Sequence, residues 1–185
     1  NKQTSVIVTS LGAAVISITG PGRLTANGTD NGEVVATVLD ANDRPVPDGS
    51  VVGFTTSLGT ITNAATTVGG NATAIITSSK TSGIAVISAN ISGLAPAQVN
   101  VMFEPDVTAI VTVNVDPDQI LADGKSMSNV TATLRDQNNN LVKDGTLATF
   151  ALTKAVDQDN IVHQNDAPYS GIDPRNEAFI VGSGT

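Results

Sequence analysis

Ala26–Phe54 reads ANGTDNGEVVATVLDANDRPVPDGSVVGF, and Ala122–Phe150 reads ADGKSMSNVTATLRDQNNNLVKDGTLATF. The two stretches align without a gap at a constant spacing of 96 residues, and eleven of their 29 positions are identical. The identities include Gly28/Gly124, Val34/Val130, Ala36/Ala132, Asp40/Asp136, Asn42/Asn138, Asp48/Asp144, Gly49/Gly145 and Phe54/Phe150. Pro21 and Pro117 fall at the same spacing. The chain therefore carries two copies of one unit of about 95 residues, a length suited to a β-sandwich domain.

Within each copy the apolar period is two. Val34, Ala36 and Val38 alternate with Glu33, Val35 and Thr37, and Val130, Ala132 and Leu134 alternate with Asn129, Thr131 and Thr133. A period of two places alternate side chains on one face of a strand. Val52, Phe54 and Thr56 predict the next inward row, matched in the second copy by Ala148, Phe150 and Leu152. Further strands are predicted at 72–77, 84–89 and 97–103, where Thr, Val and Ile dominate. No segment shows a capped 3.6-residue period. The turn stretches 40–45 and 136–140 are rich in Asp and Asn, which bond their own main chain and tolerate left-handed backbone. Asp48-Gly49 and Asp144-Gly145 predict the next bend.

Composition narrows the function. The net charge is −8, only 14% of residues are charged, and 3% are aromatic, with no Trp. An acidic surface repels phosphate, and few rings are present on which bases or sugars could stack, so nucleic acid is not the expected partner. The absence of Cys excludes disulfides and thiolate metal sites. No apolar run reaches the 18 residues needed for a transmembrane helix. The start, Asn1-Lys2-Gln3-Thr4, is not a signal peptide and has no initiating Met, so a mature product or a cut fragment is expected.

Catalytic chemistry fails on inventory. His163 is the only His, it lies in a polar stretch, and no nucleophile elbow accompanies it. A solvated loop histidine is expected, with Asp157, Asp159 and Asp166 merely near it in sequence. The three Glu residues, Glu33, Glu104 and Glu177, read as solvated positions rather than as an acid pair for glycoside hydrolysis. Calcium is weighed at two places. Asp40-Ala41-Asn42-Asp43 lies between two strands of one copy and reads as a hairpin turn. Asp116, Asp118 and Asp123 cluster where the second copy starts and read as an acidic junction, with Ca²⁺ as the alternative. No catalytic, cofactor or metal residue is assigned. Four Asn-x-Ser/Thr sequons occur, at Asn27, Asn71, Asn90 and Asn129.

The quoted motifs resemble bacterial Ig-like domains of the intimin/invasin type. LTANG and ILADG open the two copies, and 34–61 (VVATVLDANDRPVPDGSVVGFTTSLGTI) and 69–93 (GGNATAIITSSKTSGIAVISANISG) continue the first. The resemblance covers roughly 15–153, and the second copy departs from it after Thr153, where a polar insertion replaces the Ser-Leu-Gly-Thr step. It implies a surface stalk that holds a terminal binding domain away from the bacterial outer membrane.

The expected fold is all-β: tandem immunoglobulin-like β-sandwich domains forming an elongated rod. Residues 1–10 are expected to be the last strand of a preceding unit or an N-terminal strand. Residues 11–105 form domain 1, and 106–185 form domain 2, expected to be incomplete and to carry an insertion at 154–176. The short join around Glu104-Pro105-Asp106 has no Gly/Ser tract and predicts a semi-rigid joint. The expected function is a structural spacer of an extracellular cell-surface adhesin, outer membrane-anchored or secreted, and not an enzyme. Its partners would be neighbouring Ig-like domains of the same chain, with a host ligand met by a distal domain. Two alternatives are a binding module using 154–176 (with His163, Tyr169 and Arg175) and a subunit of a polymeric fibre that self-associates by strand exchange. A spacer joined to a secreted polysaccharide-degrading enzyme is a third.

Overall fold

The computed structural model describes residues 12–121 and 123–151. The chain divides into two compact units, Asn1–Asp106 and Val107–Thr185. All regular structure among the described residues is strand.

The first unit is two sheets packed face to face. One holds β1 (Ala13–Thr19), β3 (Asn31–Asp40), β7 (Asn71–Thr77) and β5 (Thr60–Ile61), in the order β1-β3-β7-β5. The other runs β2-β9-β8-β4-β6, from Arg23–Thr25, Ala97–Glu104, Gly83–Asn90, Val51–Thr56 and Ala64–Thr66. Every pairing is antiparallel except β2 with β9. The alternation read from the sequence is the alternation of burial. Val34, Ala36 and Val38 of β3 and Ala72, Ala74 and Ile76 of β7 point inward and are buried. They meet Val52 and Phe54 of β4, Ala85, Ile87 and Ala89 of β8, and Val101 and Phe103 of β9 in one core. Thr56, expected in the inward row, is only half-buried at the strand end. Its hydroxyl instead donates to the carbonyl of Leu58 at 2.8 Å, in the turn that follows.

Six of the buried core side chains are alanines: five on β3, β7 and β8 (36, 72, 74, 85 and 89), and Ala26 just after β2. Small residues let the sheets approach, while Phe54 and Phe103 fill the larger space between them.

In the second unit β10 (Ile110–Asp116) pairs antiparallel with β11 (Asn129–Arg135). Val130, predicted to face inward, is 42% exposed, whereas its counterpart Val34 is fully buried. The inward row expected at Ala148 and Phe150 is not a strand, and Leu152 lies outside the described residues. Among the described residues no strand pairs with this segment. β4 is held by β6 and β8, whose first residues Ala64 and Gly83 have counterparts at Asn160 and Phe179, outside the described residues. Residues 1–10 and the insertion 154–176, with His163, Tyr169 and Arg175, also lie outside them.

Candidate functional site

The two units share one turn with the same main-chain hydrogen bonds. Asp40 Oδ1 accepts the main-chain N–H of Asn42 at 2.8 Å and of Arg44 at 3.0 Å. Asp136 Oδ1 accepts the N–H of Asn138 at 2.8 Å and of Asn140 at 2.9 Å. The N–H of Asp40 reaches the carbonyl of Arg44 at 2.8 Å, and that of Asp136 reaches Asn140 at 2.9 Å. Asp43 and Asn139 both take left-handed backbone, with φ of 57° and 68°, a conformation these residue types tolerate. Isolated bridges join Leu39 to Pro45 and Arg135 to Leu141 at matching positions. Both carboxylates are buried, and the turn's amides occupy them. Asp40 is thus a turn anchor, as its place between strands suggested.

A second turn repeats as well. Asn27 Oδ1 accepts the N–H of Thr29 at 2.9 Å and of Asp30 at 2.7 Å. Asp123 Oδ1 accepts the N–H of Lys125 at 2.8 Å and of Ser126 at 2.7 Å. Glycine follows in both copies, with φ of 82° at Gly28 and 68° at Gly124. The Lys125 amide, then the Ser126 amide and hydroxyl, hold the Asp123 carboxyl below its ordinary value of 3.8.

The remaining candidate acids do not assemble a site. Glu104 on β9 pairs with Arg23 on β2 at 2.6 Å, across the parallel strands, while Glu33 lies on β3 of the opposite sheet. Asp116, Asp118 and Asp123 form no metal-binding group, and among the described residues no three of Asp, Glu or His do so. Asp123 is committed to its own turn. Of the sequons, Asn71, Asn90 and Asn129 are exposed and Asn27 is half-buried. Within the second unit a depression of about 290 Å³ is lined by apolar residues including Val111, Val113, Ala132, Leu134, Leu147 and Phe150. Thr108 and Thr149 supply its hydroxyls, and none of the lining side chains ionises, so the lining holds no general base beside them.

Sequence reading did not foresee the Arg23–Glu104 pair, which joins positions 81 residues apart. It also passed over the Asn27 and Asp123 turn, although an Asn or Asp before Gly at the 96-residue spacing was a visible signal.

Comparison with known proteins places this arrangement. The family model described as invasin, domain 3, matches residues 12–105. The crystal structure of invasin, a bacterial integrin-binding protein, is similar with a TM-score of 0.62 and 22% identity, over 80% of this chain and 34% of that one. The structure of InvD from Yersinia pseudotuberculosis is similar with a TM-score of 0.60 and 28% identity, over 75% of this chain and 43% of that one. The chain thus spans less than half the length of either relative. A search of curated proteins finds no match. The chain belongs to the invasin domain 3 family of immunoglobulin-like β-sandwiches, which are adhesin domains and not enzymes.

Proposed function

We propose that this chain is a spacer segment of a bacterial cell-surface adhesin. Its immunoglobulin-like units would follow one another and project a distal binding tip from the outer surface. The carrying observation is the repeat: two units at 96-residue spacing rebuild the same turns with the same hydrogen bonds. Repetition of a whole folding unit extends reach, whereas a catalytic role needs one differentiated cleft. The family relationship supports adhesion, since invasin is an integrin-binding protein. One outward row of the first sheet favours a passive surface. Ser17, Thr37 and Asn71 form one outward row, with the Thr37 hydroxyl donating to Asn71 Oδ1 at 2.8 Å. Such a row stays hydrated without large apolar or charged patches.

The test is adhesion of beads coated with the full 185-residue chain to integrin-bearing mammalian cells, beside beads coated with invasin. A spacer gives attachment at the uncoated-bead level. Attachment approaching that of invasin would overturn the spacer reading in favour of a binding module.

A further inference from the structure

We propose that Asn27-Gly28 is a self-modifying site, at which the folded chain converts Asn27 to aspartate and releases ammonia. Asn-Gly is intrinsically open to this reaction, because glycine carries no side chain to obstruct attack by its own amide nitrogen. In most folded segments the main chain is held away from the reacting geometry. Here three features favour it.

The electrophile is activated. Asn27 Oδ1 accepts the N–H of Thr29 at 2.9 Å, the N–H of Asp30 at 2.7 Å and the Thr29 hydroxyl at 3.1 Å. The Ser78 hydroxyl donates at 3.4 Å. Donors preorganised on a carbonyl oxygen stabilise the negative charge that develops there on nucleophilic attack. The nucleophile is available, since no hydrogen bond holds the Gly28 N–H among the described residues. The product is also accommodated. Asp123 stands at the matching position of the second unit and holds the same two main-chain bonds through a carboxylate. Bonds from N–H to a carboxylate are stronger than those to an amide oxygen.

The steps balance. The Gly28 amide nitrogen loses its proton to water and attacks Asn27 Cγ, forming the ring C–N bond of a succinimide. The Cγ–Nδ2 bond breaks, and Nδ2 leaves as ammonia after taking up protons from water. Water then opens the ring. Cleavage of the new Cγ–N bond gives aspartate with the original main chain. Cleavage at the Asn27 main-chain carbonyl gives isoaspartate.

The chain contains its own control. Asn31-Gly32 is the same dipeptide four residues on, but it lies in β3, with Gly32 paired opposite Ile76. Its Nδ2 donates to the Thr29 carbonyl at 3.3 Å, and its Oδ1 receives none of the turn's amides.

The experiment incubates the full chain in mildly alkaline buffer, folded in one arm and unfolded in urea in the other. Cleavage after Arg23 and Glu33 releases one peptide holding both asparagines, and fragment-ion masses locate the amide-to-acid conversion. In the folded arm, conversion at Asn27 is expected to outpace Asn31 by at least about tenfold. In urea the two rates should be alike. A folded-arm ratio near one, protection of Asn27, or the same large ratio in urea would each overturn the proposal. Asn27→Asp should retain the wild-type urea midpoint at neutral pH, and a fall in that midpoint would overturn the claim that the turn accepts the product.

Discussion

Gly59 lies against the ring of Phe103. A methyl group at Gly59 would sit 3.0 Å from ring Cε2 and 2.3 Å from the carbonyl oxygen of Thr77. Phe103 is fully buried and belongs to the opposite sheet, so the Leu58-Gly59-Thr60 step seals one end of the sandwich. Gly59 also has φ of 75°, which disfavours any side chain. Backbone and ring would both have to move. Gly59→Ala is expected to cost about 3 kcal/mol through strain and overpacking, read as a lower urea midpoint by far-ultraviolet circular dichroism. A wild-type midpoint would mean that the contact with Phe103 is loose.

The buried carboxylate of Asp40 separates two kinds of turn residue. Asp40→Ala leaves the N–H groups of Asn42 and Arg44 without their acceptor, at a cost of about 1–3 kcal/mol. Asp40→Asn keeps an oxygen at Oδ1 and should lose less than half as much. Equal losses for both variants would show that charge, and not the acceptor, holds the turn. Urea titration of the two variants beside the wild type makes the comparison.

Much of this fold was legible because its determinants are local. Burial alternates along β3, β7 and β8, and the buried row is apolar in each until Asp40 ends β3, although Ile75 and Ile84 are apolar on the outer faces. The turns at Asp40 and Asp136 were legible because an Asx side chain bonds amides within four residues of itself. Non-local relationships were not. The parallel pairing of β2 with β9 brings Arg23 opposite Met102, and nothing in RLT or AQVNVMFE specifies that partner. β1 also went unread. Its register shifts between Ala13 and Val15, which interrupts the alternation that Ile16 and Ile18 begin. In the second unit, apolar types alternate along β11 in the sequence, but exposure does not follow them among the described residues. Which face of a strand is covered is set by its neighbours in space, which the period of two does not specify.

The ion pair of Arg23 and Glu104 tests how far β2 depends on charge. The side chains are 67% and 32% exposed, so solvent and salt screen their attraction. Main-chain pairing already joins the strands, including the Ala26 N–H to the Glu104 carbonyl at 2.7 Å. Arg23→Ala is therefore expected to change stability by less than about 1 kcal/mol, with the difference fading in high salt. A larger loss that persists in high salt would point to packing by the arginine stem. Thermal midpoints at low and high ionic strength decide between them.

Asp123 makes the acid behaviour of its turn predictable in sign. The Lys125 and Ser126 amides favour the carboxylate in the folded state, so the folded carboxyl titrates below 3.8. A depressed folded value means that the unfolded chain takes up the proton first as pH falls. The stabilisation is thus complete above the unfolded value and is lost as pH drops through the folded one. Carbon-13 NMR of the side-chain carboxyl should show a midpoint below that of an unstructured aspartate. Ser126→Ala removes only the hydroxyl donor, at 3.0 Å from Oδ2, and leaves both main-chain amides in place. It should therefore raise that midpoint part of the way and no further. Return to the unstructured value would assign the effect to the hydroxyl and not to the amides. It would also remove the basis for equating this turn with the one at Asn27.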